Sequence, residues 1–218
     1  MKKTTVIFDM DGVVIDSERL YDIADAEFLM RRGVAFDKDK IVPLIAGKSL
    51  IESTAMLQAL YGFDGDVGAL RDERRNFVEE LYRGSLKFID GFAEFHDGLL
   101  RQGIATCVAT ASDDKLIALV DQKLGLSKIF GEKKIFKISD VGDKSKPDPA
   151  IFLYAAAQMK VLPAECIVIE DAPHGVAAAK NAGMYCVALT TTRPREELTR
   201  ADVIVDSYVD INSLMLSL

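Results

Sequence analysis

This chain is poor in the residues from which many reactive sites are built. Its 218 residues include two histidines, His96 and His174, and three cysteines. Catalytic zinc takes three protein ligands, often histidines, so zinc chemistry lacks its ligands here. No G-x-S-x-G turn is present, which removes the usual setting of a serine hydrolase nucleophile. No apolar run is long enough to span a bilayer. The N-terminal MKKTTVIFDMDG carries two lysines, but Asp9 interrupts its apolar stretch, and a secretory signal is not expected. A basic surplus is also missing. Lys and Arg number 27 against 34 Asp and Glu, a formal net charge of -7. Neither nucleic acid nor an anionic membrane would find a basic face, so neither is expected as a partner. A small anionic substrate held in a locally positive pocket remains compatible with that charge. Cys107, Cys166 and Cys186 each sit inside an apolar run (TCVAT, ECIVIE, YCVAL). Such thiols read as small core residues of a reducing cytosol, and a cytoplasmic location is expected. No internal repeat or low-complexity segment is found.

What the chain does have is a regular rhythm of short apolar runs. TTVIF (4–8), IATCVAT (104–110), KIFKIS (134–139), CIVIE (166–170), YCVALT (185–190) and DVIV (202–205) read as strands. Several are apolar on consecutive residues, as strands buried on both faces are. Between them lie helical patterns. DDKLIALVDQKLG ends at Gly125, DPAIFLYAAAQMK has Pro149 near its first turn, and HGVAAAKNAG ends at Gly183. Alternating strands and helices imply a mainly parallel α/β sheet. Residues 16–86 break this rhythm: SERLYDIADAEFLMRRG, KSLIESTAMLQALYG and ALRDERRNFVEELYRG are amphipathic and end at glycine. The expected layout is a Rossmann-like core made of 1–15 and 87–218, with an α-helical domain of 16–86 inserted after the first strand. Within that insert, RDERR (71–75) reads as a solvated helix face and FDGDVG (63–68) as a loop.

In open parallel sheets, ligands bind outside the carboxyl ends of the strands. The first strand ends on Asp9 and the second on Thr110; the segment after the third reaches Lys146; the fourth ends on Glu170 and Asp171. Two carboxylates as close as Asp9 and Asp11 repel each other, and a hard divalent cation such as Mg2+ would offset that repulsion. Asp9 and Asp171 offer carboxylates to it, and the Asp11 backbone carbonyl a third ligand. Thr110 and the backbone N–H groups just after it, at Ala111 and Ser112, would hold phosphoryl oxygens, while Lys146 lowers the remaining negative charge. Asp9 could then attack phosphorus. Asp11 would protonate the leaving oxygen and later deprotonate water. Gly12 lets the chain turn sharply after it.

With these residues in order, the sequence resembles the haloacid dehalogenase superfamily, in the subgroup similar to β-phosphoglucomutase and sugar-phosphate phosphatases. DMDGVVIDSE, VATAS, SKPDPAIF and IEDAPHGVAAAKNAGM carry its four motifs. The resemblance implies a helical cap, Mg2+-dependent phosphoryl transfer through phospho-Asp9, and a metal site of Asp9, Asp11 and Asp171 with Glu170 as a neighbouring, outer acid. Ala172 stands where the family often has serine. AGKSLIES has Leu50 where similar sugar-phosphate enzymes often have arginine, and Lys48 is the nearest cation. Lys48 and Glu18 are the candidate substrate contacts of the insert. Their plainer readings are a solvated lysine at a helix start and an acid favoured by a helix dipole. His174 reads as a surface residue near the site and His96 as structural. The expected activity is phosphoric monoester hydrolysis on a small phosphorylated metabolite, a sugar phosphate by preference. A phosphosugar mutase is the alternative. A phospho-accepting signalling domain would share the acids, Thr and Lys, but has no leaving group for Asp11 to protonate. The chain is expected to act as a monomer, with a weak dimer as the other option.

Overall fold

The computed structural model describes residues 2–45 and 48–215. The chain opens with β1 (Thr5–Phe8) and runs at once into four helices, α1 (Glu18–Met30), α2 (Lys38–Ile45), α3 (Leu50–Tyr61) and α4 (Val67–Ser85). It continues through α5 (Phe92–Arg101), β2 (Ala105–Thr110), α6 (Asp114–Leu124), α7 (Leu126–Phe130), β3 (Ile135–Lys137), α8 (Ala150–Gln158) and β4 (Cys166–Glu170). It closes with α9 (Pro173–Asn181), β5 (Tyr185–Leu189), β6 (Val203–Val205) and α10 (Tyr208–Met215). Two compact units result: one takes the chain up to Asp16 and again from Lys87, the other Ser17–Leu86.

The first unit is a six-stranded sheet in the order β3-β2-β1-β4-β5-β6, with every pairing parallel. The chain builds outward from β1 to β3, then returns to the other side of β1 to lay down β4, β5 and β6. The order therefore reverses beside β1, between it and β4, the place at the carboxyl ends of the strands where open parallel sheets bind ligands. The four inner strands, β2, β1, β4 and β5, are buried on both faces, which is why they are apolar on consecutive residues. Ile7, Cys107, Ala109, Cys166, Val168, Cys186 and Ala188 share one core with Phe152 of α8 and Val176 of α9. All three thiols are free and buried, and burial pushes the Cys166 thiol up to about 11. Phe8 instead meets Phe92 and Phe95 of α5 and Phe130 of α7 edge-on, with ring centroids 5.6, 6.2 and 5.7 Å away. His96 is buried in this layer and its Nε2 lies 2.9 Å from Thr106 Oγ1.

The second unit is all helical. Its core is Phe28, Leu29, Ile41, Leu57 and Leu70. Ser49 caps α3 through a reciprocal capping box with Glu52, and Gly62 ends the helix in the left-handed conformation. In the FDGDVG loop, Asp66 caps α4 by accepting from the Ala69 N–H at 3.0 Å. Helix α2 is not announced by its apolar spacing: it contains Pro43, and Ile41 is its buried residue.

The expectation of a solvated RDERR face needs correction at one residue. Arg74 is 2% exposed and ion-paired to Asp25 at 2.6 Å. Helix α4 packs against both α1 and α3. The turn of α4 that carries Arg74 therefore faces inward, where α1 presents a carboxylate.

Candidate active site

Parallel pairing on both sides fixes β1, and the ladder extends one residue past it: the Asp9 N–H donates to Ile169 O at 3.0 Å. The chain then folds back in a tight turn, with Val14 and Ile15 N–H both donating to Met10 O and Gly12 N–H to Ile15 O. Gly12 has φ +74°. A Cβ there would lie 2.1 Å from Asp171 Oδ2, so the position demands glycine for space as well as for conformation.

Asp9 is buried beside Glu170 and Asp171, and the three can bring carboxylate oxygens within 4.8 Å of one another. The loop after β3 delivers Lys146 into this group, its side chain 5% exposed. The ammonium donates to Asp9 Oδ1 and, at 2.6 Å, to Glu170 Oε1. That loop is anchored by Asn181 Nδ2, which donates to Pro147 O at 3.0 Å. The other oxygen of Glu170 accepts from the backbone N–H of Asp171 at 2.9 Å and of Ala172 at 3.2 Å. The carboxylate thus lies against the start of α9, where the helix dipole favours it. A Cβ on Gly175 would fall 1.8 Å from Glu170 Oε1, so glycine in the first turn of α9 makes the room.

Electrostatics follow from this crowding. Burial pushes Asp9 up to about 7; the charges of Glu170 and Asp11 push the same way, and Lys146 opposes them. Burial would lower the Lys146 ammonium, but its contacts with Asp9 and Glu170 outweigh that and hold it above the usual lysine range. His174 is lowered by burial and by the nearby Lys146 and Arg193, against the pull of Glu170.

Asp11 stands apart from the cation-facing carboxylates. Ser112 Oγ donates to its Oδ2 at 2.8 Å, tying the turn after β1 to the loop after β2. Thr110, fully buried at the end of β2, accepts the Ser112 N–H at 2.9 Å and keeps its own hydroxyl proton to donate. The Ser112 N–H is thus engaged within its own loop. Asp9, Asp11, Thr110, Ser112, Lys146, Glu170 and Asp171 therefore meet at one end of the sheet, with Ala111 exposed beside them. Glu18 is the first residue of α1, and Lys48 immediately precedes the Ser49 cap of α3, both in the helical unit. Ala46 and Gly47 of the AGKSLIES segment lie outside the described residues.

Sequence reasoning missed the loop after β5. Thr191 Oγ1 donates to Gly12 O at 2.5 Å, and Thr192 Oγ1 donates to Asp171 Oδ2. A signal was available: TTTR follows the fifth strand, and the rule that ligands gather at strand ends applies there as well.

Acids around the buried Lys146 ammonium, with hydroxyls beside them, suit the binding of a phosphate ester and a hard cation. Known proteins are similar to this chain in sequence and in shape. The chain is 30% identical over 206 residues to validoxylamine A 7'-phosphate phosphatase of Streptomyces hygroscopicus subsp. limoneus, covering 94% of each. It is 30% identical over 223 residues to (DL)-glycerol-3-phosphatase 2 of Arabidopsis thaliana, covering 95% of this chain and 88% of that one. Its fold is similar to a crystal structure of a Deinococcus radiodurans family hydrolase with bound phosphate and sodium. That likeness has a TM-score of 0.84 at 27% identity, over 98% of this chain and 95% of that one. Residues 3–183 match the haloacid dehalogenase-like hydrolase family, and with its Rossmann-like sheet and inserted α-helical cap domain the chain belongs to that family.

Proposed function

We propose that this protein is a Mg2+-dependent phosphatase of a small phosphorylated metabolite, a sugar phosphate by preference, working through phospho-Asp9. The observation that carries this is the surplus of buried acid: Asp9, Glu170 and Asp171 around one ammonium, Lys146. The residues fit a hard divalent cation, since all the donors are oxygens and Lys146 offsets only one of the three charges. Asp9, Asp171 and the Asp11 carbonyl would hold Mg2+, which supplies charge neutralisation for the incoming phosphate. Glu170 is already engaged by Lys146 and two backbone N–H groups, which suits an outer acid that positions the lysine.

Asp9 attacks phosphorus from a backbone fixed by the sheet. Thr110 and the Ala111 N–H take phosphoryl oxygens, and Lys146 compensates negative charge. Asp11, tethered by Ser112, gives a proton to the departing oxygen and then takes one from water. In this reading the helical unit, residues 16–86, supplies specificity, with Glu18 and Lys48 as its candidate substrate contacts. The phosphatases of similar sequence support hydrolysis as the outcome.

A panel of phosphorylated metabolites, assayed with Mg2+ in 18O-labelled water, tests this reading. Inorganic phosphate carrying the label is expected, with no isomeric sugar phosphate and no turnover in excess chelator. Negligible phosphate release alongside an accumulating isomer would establish a mutase instead.

A further inference from the structure

Three consecutive threonines leave the sheet after β5, and each hydroxyl goes to a different element. Thr190 N–H donates to Val205 O at 3.0 Å and its Oγ1 to Asp206 Oδ1 at 2.8 Å, which moors the loop to β6. Thr191 Oγ1 donates to the carbonyl of Gly12, in the turn that follows the nucleophile. Thr192 Oγ1 donates to Asp171 Oδ2 and lies 3.3 Å from Asp171 O. Arg193 Nη1 donates to Thr192 O at 3.0 Å. The fit around Asp171 is close: a Cβ on Gly12 would meet Asp171 Oδ2 at 2.1 Å and Thr192 Cγ2 at 2.6 Å. The Asp171 carboxylate therefore lies between the Gly12 backbone and Thr192. Ala172, next to it in sequence, has no hydroxyl to orient it.

We propose that Thr192 is a positioning residue, whose hydroxyl fixes the Asp171 carboxylate for the divalent cation, while Thr191 holds the turn after Asp9 in register with it. The proposal rests on the reading of Asp9 and Asp171 as cation ligands. A carboxylate free to rotate must lose that freedom when it binds metal. One already hydrogen-bonded through one of its oxygens does not, and such supports around metal ligands are worth about 10- to 100-fold in affinity.

The test uses the whole chain and Mn2+ alone, without substrate. Free Mn2+ is followed by its electron paramagnetic resonance signal as protein is added. Thr192→Val keeps the shape and removes the hydroxyl, and should weaken Mn2+ binding about 10- to 100-fold. Thr192→Ser keeps the hydroxyl and should bind as the unmodified chain does. A loop that is merely structural would show its defect in metal-free thermal unfolding, with Ser resembling Val. Should Val fail to fold, Thr192→Ala provides the same comparison. Equal affinity in the unmodified chain and the hydroxyl-free variant would overturn the role of Thr192 while leaving the cation site intact. No Mn2+ binding by the unmodified chain would overturn the cation site and this proposal with it.

Discussion

Among the described residues, each unit of the molecule buries a cation among acids, and the two do so differently. In the helical unit, Arg74 Nε and Nη2 both donate to Asp25 Oδ1, at 3.0 and 2.6 Å. Its Nη1 reaches Ser53 Oγ at 2.9 Å and Thr54 Oγ1 at 2.8 Å. Those hydroxyls donate onward to Leu50 O at 3.1 and 2.7 Å. One guanidinium faces one carboxylate, and the network ties α1, α3 and α4 together. Burial still raises Asp25 above its ordinary value, with Arg74 opposing. In the sheet unit, Lys146 faces Asp9 and Glu170, with Asp171 close by. A balanced buried pair needs nothing from outside, whereas an unbalanced one is stabilised by a further cation. The type of buried charge is alike in the two units. Stoichiometry separates a clamp from the proposed reactive site.

The strongest way to break this comparison is Asp9→Asn. Turnover of p-nitrophenyl phosphate should fall by several orders of magnitude, because in the proposed mechanism the amide cannot form the phosphoenzyme and the uncatalysed reaction is among the slowest known. The same change removes one charge from an acidic surplus, so without metal the variant should unfold no lower than the unmodified chain. A variant keeping more than about a tenth of the activity, against an expected loss of orders of magnitude, would take Asp9 out of the nucleophile's role. A metal-free variant melting several degrees lower would show that the acids are balanced after all.

Arg74→Met probes the other unit, and there the effect should be on stability. Leaving Asp25 buried and unpaired should cost about 3–5 kcal/mol in denaturant unfolding, and adding Asp25→Leu should recover much of it. A single substitution that proves harmless would mean that Arg74 does not clamp the three helices.

The smallest effect concerns His96, a buried group with a neutral partner. Burial lowers it from the ordinary 6.5; Lys134 adds to this and Asp97 opposes it. Above that value both folded and unfolded chains carry it neutral. As pH falls below it, the unfolded chain takes up a proton that the folded chain resists, and stability declines. His96→Gln should therefore lose less thermal stability than the unmodified chain between pH 7 and pH 5. Identical pH slopes would show that His96 is protonated without cost where it stands.

The strands were the most legible elements because burial on both faces writes itself into consecutive apolar residues. The cores of all six are where TTVIF, IATCVAT, KIFKIS, CIVIE, YCVALT and DVIV place them, with the edge strand β3 shortened to Ile135–Lys137. Helix α2 was not legible, since Pro43 and a single buried residue leave little periodicity to see. In the site, Asp9, Thr110, Glu170 and Asp171 could be found because parallel strands present their carboxyl ends to one edge.

The sequence by itself determined which residues end the strands, because strand period and apolar runs are local properties. From those ends came the residues of the proposed site. Only the tertiary structure decided how those groups are partnered. Nothing within RDERR announces that Arg74 turns inward to Asp25, and nothing near Asp171 announces Thr192, twenty-one residues further on. Glu170 reads as another acid at a strand end until its oxygens are seen bonded to Lys146 and to the N–H groups that open α9. The physical reason is the same in each case. A charge is stabilised or destabilised by what lies within a few ångströms of it, and the chain brings those groups together only by folding.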